Sequence, residues 1–213
     1  MLELLKKVLK PVAPSGLEEP VAAVIREEVA PYVDSIETDA LGNLICVKNG
    51  TEANPEKIML SAHMDHIGYI VTGIEKEGFL RVTNVGGISP TMSLTRHVSF
   101  PNGVQGVVVS EVSKDTAMKD LFVDIGAQDK ADAETMVQIG DVCVYANDCF
   151  QLGANRVASP AMDDRAACAL LIRFLARRSK PSLPFSPCRR KSAAAARRWR
   201  RSRKRRTRAS PLT

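Results

Sequence analysis

A chain of 213 residues with 45% hydrophobic and 25% charged side chains can bury a sizeable core as one large or two small domains, and no apolar run approaches the roughly 20 residues of a membrane span. Its formal charge of +6 hides a division: 15 of the 30 Lys and Arg lie from Arg177 onward, where no acid occurs, so the preceding 176 residues hold 15 bases against all 24 acids, a net of −9. An acidic body and a very basic tail need separate explanations. Charges within Met1-Leu2-Glu3-Leu4-Leu5-Lys6-Lys7 are not those of a signal peptide. The five cysteines (Cys46, Cys143, Cys149, Cys168 and Cys188) lack Cys-x-x-Cys spacing and read as reduced thiols of a cytoplasmic protein, with no disulfide framework and no zinc ribbon.

Leu2, Leu5, Val8 and Leu9 fall at helical spacing, and Pro11 and Pro14 end that helix. Ser15-Gly16-Leu17-Glu18 fits a capping box opening a second helix through Val21, Val24, Ile25 and Val29, which Pro31 stops. Runs 35–39 and 44–47 flank Gly42-Asn43 and predict a hairpin. The stretch from Ile58 to Gly68, Ile-Met-Leu-Ser-Ala-His-Met-Asp-His-Ile-Gly, then predicts a buried parallel strand with polar ligands at its carboxyl end. There His63 is a candidate metal ligand whose tautomer Asp65 would fix. The plainer alternative is a solvated turn after an ordinary strand.

After Gly68 short β-runs come at close intervals: Tyr69-Ile70-Val71, Phe79 to Val82, His97 to Phe100, Val104 to Val109 and Val142 to Tyr145. Gly- and Asn-rich turns separate them, which suggests a small barrel or sandwich inserted into an α/β body. One helix is predicted within it, from about Lys130 to Gln138, with Asp129 suited to its start. Texture changes back at Ser159, where Asp163 and Asp164 precede the helical run from Ala166 to Ile172. The two acids can cap that helix, or one can turn back to a metal.

These separated motifs resemble the tetrahedral-assembly metallo-aminopeptidases, the glutamyl and deblocking aminopeptidases, some of which carry the name endoglucanase. Ala62-His63-Met64-Asp65-His66-Ile67-Gly68 is similar to that family's Ala-His-Met-Asp-Glu-Ile-Gly signature. Asp120 to Ala127 is similar to its Asp-Leu-Phe-Ile-Asp-Ile-Gly-Ala segment, and Gly86-Gly87 and Met162-Asp163-Asp164-Arg165 fit as well. The resemblance implies an α/β fold: the amino-terminal part of a zinc-peptidase-like catalytic domain (1–68, resumed at 158–176) with an inserted small β-barrel domain (69–157) that mediates homo-oligomerisation. It implies two divalent ions, zinc or cobalt, acting on a peptide substrate. His63 would bind one ion, Asp163 would bridge both, and Asp65 would orient His63 and support the catalytic base. His66 stands where the family has Glu and is expected to face solvent, with an extra metal ligand as the alternative. His97 is expected to be a surface or packing residue.

The family's site also needs a Glu-Glu pair, a further acid and a distal His, yet no acid follows Asp164 and no His follows His97. Phe185 to Ala196 can be encoded so that reading from the third base of each codon gives Phe-Thr-Val-Gln-Glu-Glu-Val-Gly-x-Arg-Gly, similar to the family segment carrying that pair. A frameshift between about Phe174 and Leu183 is therefore expected, leaving 177–213 as an out-of-frame tail and the chain inactive as given. The competing reading makes Arg197 to Arg208 a genuine basic arm. It would bind phosphates and stack Trp199 on bases, in a non-catalytic oligomerising or nucleic-acid-binding protein. On either reading the tail is expected to be disordered.

Overall fold

The structure, a computed structural model, describes residues 1–50, 56–112, 114–146 and 148–177, together with the backbone of 185–188. Helices α1 (Leu2–Leu9) and α2 (Glu19–Val29) turn Val8, Leu9, Val21, Ile25 and Val29 inward. Strands β1 (Ser35–Thr38) and β2 (Leu44–Val47) form the expected antiparallel hairpin. Strand β3 (Leu60–His63) stands at the end of its sheet, and Ile58 and Met59 before it are exposed, so the approach to the motif is less buried than its apolar run suggests.

The chain then builds β4 (Gly68–Ile74), β5 (Leu80–Val85), the single turn α3 (Pro90–Ser93), β6 (His97–Ser99), β7 (Gln105–Ser110), β8 (Leu121–Asp124), α4 (Lys130–Met136) and β9 (Val142–Tyr145). The six strands close into a barrel in the order β4-β5-β8-β7-β6-β9. Closure removes free edges and explains why strands as short as three residues suffice. Its interior is filled by alternate residues, including Tyr69, Leu80, Phe100, Val108, Leu121 and Val123. The Tyr69 hydroxyl, shut inside, hydrogen-bonds the Tyr145 hydroxyl at 2.9 Å, which in turn meets Ser93 Oγ at 3.1 Å. Gly68, the first barrel residue, allows a close crossing: a Cβ there would lie 2.5 Å from the Cys143 carbonyl oxygen. As its sequence suggests, Asp129 caps α4, its carboxylate accepting from the Asp132 amide.

A separate hairpin, β10 (Phe150–Leu152) with β11 (Arg156–Ala158), leads to α5 (Met162–Arg177). Strand β12 (Phe185–Cys188) inserts between β2 and β3, parallel to β3, with Cys188 opposite His63. Helices α1, α2 and α5 pack with β2 and β3 in a second hydrophobic core.

Four expectations are corrected. Ser15 does not cap α2: the helix starts at Glu19 without a side-chain cap, and Glu18 instead accepts from the Gly16 amide at 2.8 Å. The Leu121–Asp124 segment is a barrel strand as well as a motif, and the 150–158 hairpin is additional. Backbone pairing of Phe185–Cys188 overturns disorder for those four residues. The remainder of the tail, including Arg197 to Arg208, lies outside the described residues. Cys46, Cys143 and Cys168 are buried free thiols, and burial pushes Cys46 up to about 11 and the other two up to about 12.

One side chain joins these parts. Arg165, fully buried on α5, donates to the carbonyls of Met64 (2.7 Å), Pro11 (2.8 Å), Ala13 (3.1 Å), Val8 (3.4 Å) and Leu9 (3.4 Å). It therefore satisfies the exposed carbonyl end of α1, the following loop and the exit of β3 together. Burial pushes it down to about 10, which leaves it charged at neutral pH. Arg165→Met keeps the length and removes every donor, stranding those carbonyls. Urea denaturation should show a loss of about 3–5 kcal/mol, and Arg165→Lys should recover part of it.

Candidate metal centre

His63 ends β3, and its carbonyl accepts from Cys168 Sγ of α5 at 3.4 Å. Its imidazole lies between two carboxylates. Nδ1 is 3.1 Å from Asp65 Oδ1, and Nε2 is 3.0 Å from Asp163 Oδ1. The structure thus brings together all three residues singled out in the sequence, from two segments one hundred positions apart. Asp163 and Asp164 have non-helical backbone angles at the start of α5, and the Asp163 carboxylate reaches back across the sheet end to His63.

The donor set fits a cation. Nδ1 hydrogen-bonds the Asp65 backbone carbonyl at 3.3 Å, beside Oδ1 of the same 99% buried residue, and a carbonyl only accepts, so Nδ1 carries the proton and the Nε2 lone pair faces a carboxylate oxygen 3.0 Å away. Two acceptors at that distance repel unless a proton or a metal ion lies between them. Asp163 has 81% of its side chain exposed, so its carboxylate is open to solvent. Among the described residues no group of three or more His, Cys, Asp or Glu is placed to hold a metal ion.

Sequence reasoning missed Ser15. Its hydroxyl donates to Asp65 Oδ2, while Oδ1 lies within ion-pair distance of His63 Nδ1. Ser15 had been explained by helix capping, a local role that concealed one made with a residue fifty positions away. His66 also departs from expectation. It is 4% exposed, not solvent-facing, because its amide bonds the Ala13 carbonyl at 3.3 Å and it bridges to Pro14. Among the described residues neither ring nitrogen has a hydrogen-bond partner. His97 lies exposed on β6.

A cleft of about 640 Å³ adjoins these elements, lined by Ile67, Ile88, Met92, Tyr145, Phe150 and Pro160 among others. Ile67 lies two residues beyond Asp65 and Pro160 three before Asp163, so the cleft opens where the barrel rim meets both site segments.

The chain matches the M42 glutamyl aminopeptidase family over residues 42–188 and belongs to that family. Members are peptidases that depend on divalent metal. A relative from Acetivibrio thermocellus named as an aminopeptidase is 41% identical over 179 residues, which is 82% of this chain and 53% of the relative. Among solved structures, an aminopeptidase from Desulfurococcus kamchatkensis superposes with a TM-score of 0.82 at 32% identity, over 89% of this chain and 55% of that one. The Pyrococcus horikoshii TET1 peptidase, which assembles into a tetrahedron or a large octahedral shell, gives a TM-score of 0.75 at 32% identity, over 87% and 60%. The chain spans about half the length of the curated relatives it matches. No described helix is long and apolar enough to cross a membrane.

Burial above all, with the Arg165 guanidinium second and Asp65 opposing, pushes the His66 imidazole down to about 3 from its ordinary 6.5. The unfolded state therefore binds a proton that the folded state refuses between those values. The His66 contribution to stability is complete above about pH 6.5 and falls with acidity by about 1.4 kcal/mol per pH unit through that window. His66→Met should flatten the acid limb of stability against pH while leaving neutral stability intact. Separately, Ser15→Ala should loosen Asp65 and shift the His63 ring 15N resonances, and Ser15→Thr should restore them.

Proposed function

We propose that residues 1–68 and 158–176 are the amino-terminal part of a two-metal aminopeptidase that removes N-terminal residues from peptides, with 69–157 as its oligomerisation insert. The observation that carries the reading is His63 Nε2 facing Asp163 Oδ1 at 3.0 Å while Asp65 holds Nδ1. His63 would give its Nε2 lone pair to one ion and Asp163 one oxygen to each of two. Asp65 would keep the imidazole in the Nδ1–H tautomer, and Ser15 would keep Asp65 in place. Two divalent ions, zinc or cobalt, would when bound polarise the scissile carbonyl and lower the pKa of an attacking water. The cleft beside the site is wide enough for a short peptide.

The chain as given is proposed to be inactive, because the Glu pair that serves this chemistry is not in its reading frame. The register of β12 supports the frameshift. Cys188 is paired with His63, and codons for Arg189 to Lys191 can be chosen so that the alternative frame reads Glu-Glu just after that strand. The family match runs through Cys188, beyond the expected window for the frame change. Assembly through the barrel is supported by likeness to the TET1 shell. The second reading, a nucleic-acid-binding arm, rests on residues outside those described and draws support from composition alone.

Resequencing the encoding DNA from the Asp163 codon past the stop tests the frame. Calorimetric titration of the chain with zinc or cobalt should give weak binding that His63→Ala and Asp163→Ala each abolish. No aminoacyl-anilide should be cleaved, whereas a frame-restored chain should cleave it and lose activity to a chelator. Chelator-sensitive cleavage by the chain as given would overturn its assigned inactivity.

A further inference from the structure

The cleft of about 640 Å³ runs from the metal-site elements to a part of the barrel that the site itself does not use. At its near end stand Ile67, two residues beyond Asp65, and Pro160, three before Asp163. Arg96, just before β6, and His97, the first residue of that strand, line it as well. The barrel register sets the span between these two ends. Gly68 on β4 faces Val144 on β9, and Val144 in turn faces Ser99 on β6. Two ladder steps of about 4.8 Å separate β4 from β6, so the ends lie roughly 10 Å apart, the reach of about three extended residues.

The far end suits a ligand of negative charge. Thr95 is β-branched yet held at φ 62°, in the left-handed region that such residues avoid. Its amide donates to the Val108 carbonyl at 2.9 Å, the Arg96 amide donates to Ser93 at 3.1 Å, and the Arg96 carbonyl accepts from Val108 at 2.9 Å. The backbone of Arg96 is thereby fixed. Its exposed side chain is anchored through Nε, which donates to the Met92 carbonyl at 3.3 Å. Among the described residues its two Nη groups make no hydrogen bond and no ion pair, so they present a fork that matches a carboxylate. His97 is exposed beside it and adds a ring N–H. Asp148 also lines the cleft and pairs with neither; it stands on the segment that returns from β9 towards Pro160 and repels a carboxylate from that side.

We propose that this cleft holds the leaving portion of a short peptide, and that Arg96 with His97 receives a carboxylate of that portion, either its carboxyl terminus or an acidic side chain. The proposal rests on the aminopeptidase reading: an N-terminal residue held at His63 and Asp163 leaves the rest of the peptide to run away from them, along a cleft that begins beside both. Ile88, Met92 and Phe150 give that route apolar walls for the intervening residues.

The test titrates the full chain, in excess chelator, with Leu-Gly-Gly-Gly as the free acid, its carboxyl-terminal amide, and Leu-Gly-Gly-Glu amide. Calorimetry and the arginine side-chain 15N resonances are the readouts, and neither needs a metal ion or hydrolysis. The free acid should bind about fivefold more tightly than its amide, as one solvent-exposed charged hydrogen bond allows, and should shift the Arg96 Nε resonance. Arg96→Gln should erase that preference at an unchanged circular dichroism spectrum, with amide affinity kept within about twofold, and Arg96→Lys should retain part of it. If the Glu-containing amide binds as tightly as the free acid, the subsite takes a side-chain carboxylate; if it does not, the subsite takes the terminus. Equal binding of acid and amide, or no binding of either, overturns the proposal. So does an acid preference that survives Arg96→Gln, which the basic tail would produce. The peptidase reading fails separately, when metal binding is indifferent to His63→Ala and Asp163→Ala.

Discussion

A buried guanidinium holds the α/β part of this molecule in register. Arg165 is enclosed at full burial and touches backbone carbonyls from two stretches that are remote in sequence: residues 8–13, at the end of α1 and in the loop after it, and Met64 just beyond His63. Taking a charge out of water is costly, and these hydrogen bonds with the nearby Asp65 carboxylate are what offset it. Because Arg165 follows Asp163 by two residues, the same clamp fixes where α5 begins. The His63–Asp163 contact thus depends on packing several residues away from either side chain.

The clamp also explains His66. Its backbone is drawn against Ala13 and Pro14, strands of the same loop that Arg165 grips, so its ring is carried into the interior beside that cation. An imidazolium there would oppose Arg165, and the neutral ring is what the site accommodates. The polarity of His66 gave the opposite forecast, since a lone His after a strand usually faces water. Only the position of the loop, set by contacts made across 150 residues, decides the matter.

Local pattern did well where local forces dominate. Helix periodicity gave α1, α2 and α5, the Gly42-Asn43 turn gave β1 and β2, and alternation with close turns gave five of the six barrel strands. It was weaker where one residue has two uses. Leu121–Asp124 drew attention as a motif and so was not read as the strand that pairs with both β5 and β7. Ser15 satisfied a capping pattern four residues long, and its actual partner, Asp65, is invisible to any short window. Phe185–Cys188 lies in a stretch whose composition argues for disorder, yet its backbone completes a ladder between β2 and β3. A ladder takes its order from its neighbours, so tail composition carries little information about those four positions.

The two halves of the fold differ in how complete they are. The barrel closes on itself, leaves no edge and buries one face of every strand around a common interior, so its stability is self-contained. The other part places three helices on one face of a short sheet, and the described hydrophobic core lies on that face. The candidate metal-site residues stand on the other side: His63 shares a face with Ser61, and Asp163 reaches it from the exposed end of α5. Two donors held at 3.0 Å by buried supports are an arrangement that the fold maintains before any ion arrives. The supports (Ser15, Asp65, Arg165) are all contained in the present chain, whereas a full coordination shell is not found among its described residues. Pre-organisation and ligation are therefore separable in this fold, and the chain carries the first largely intact.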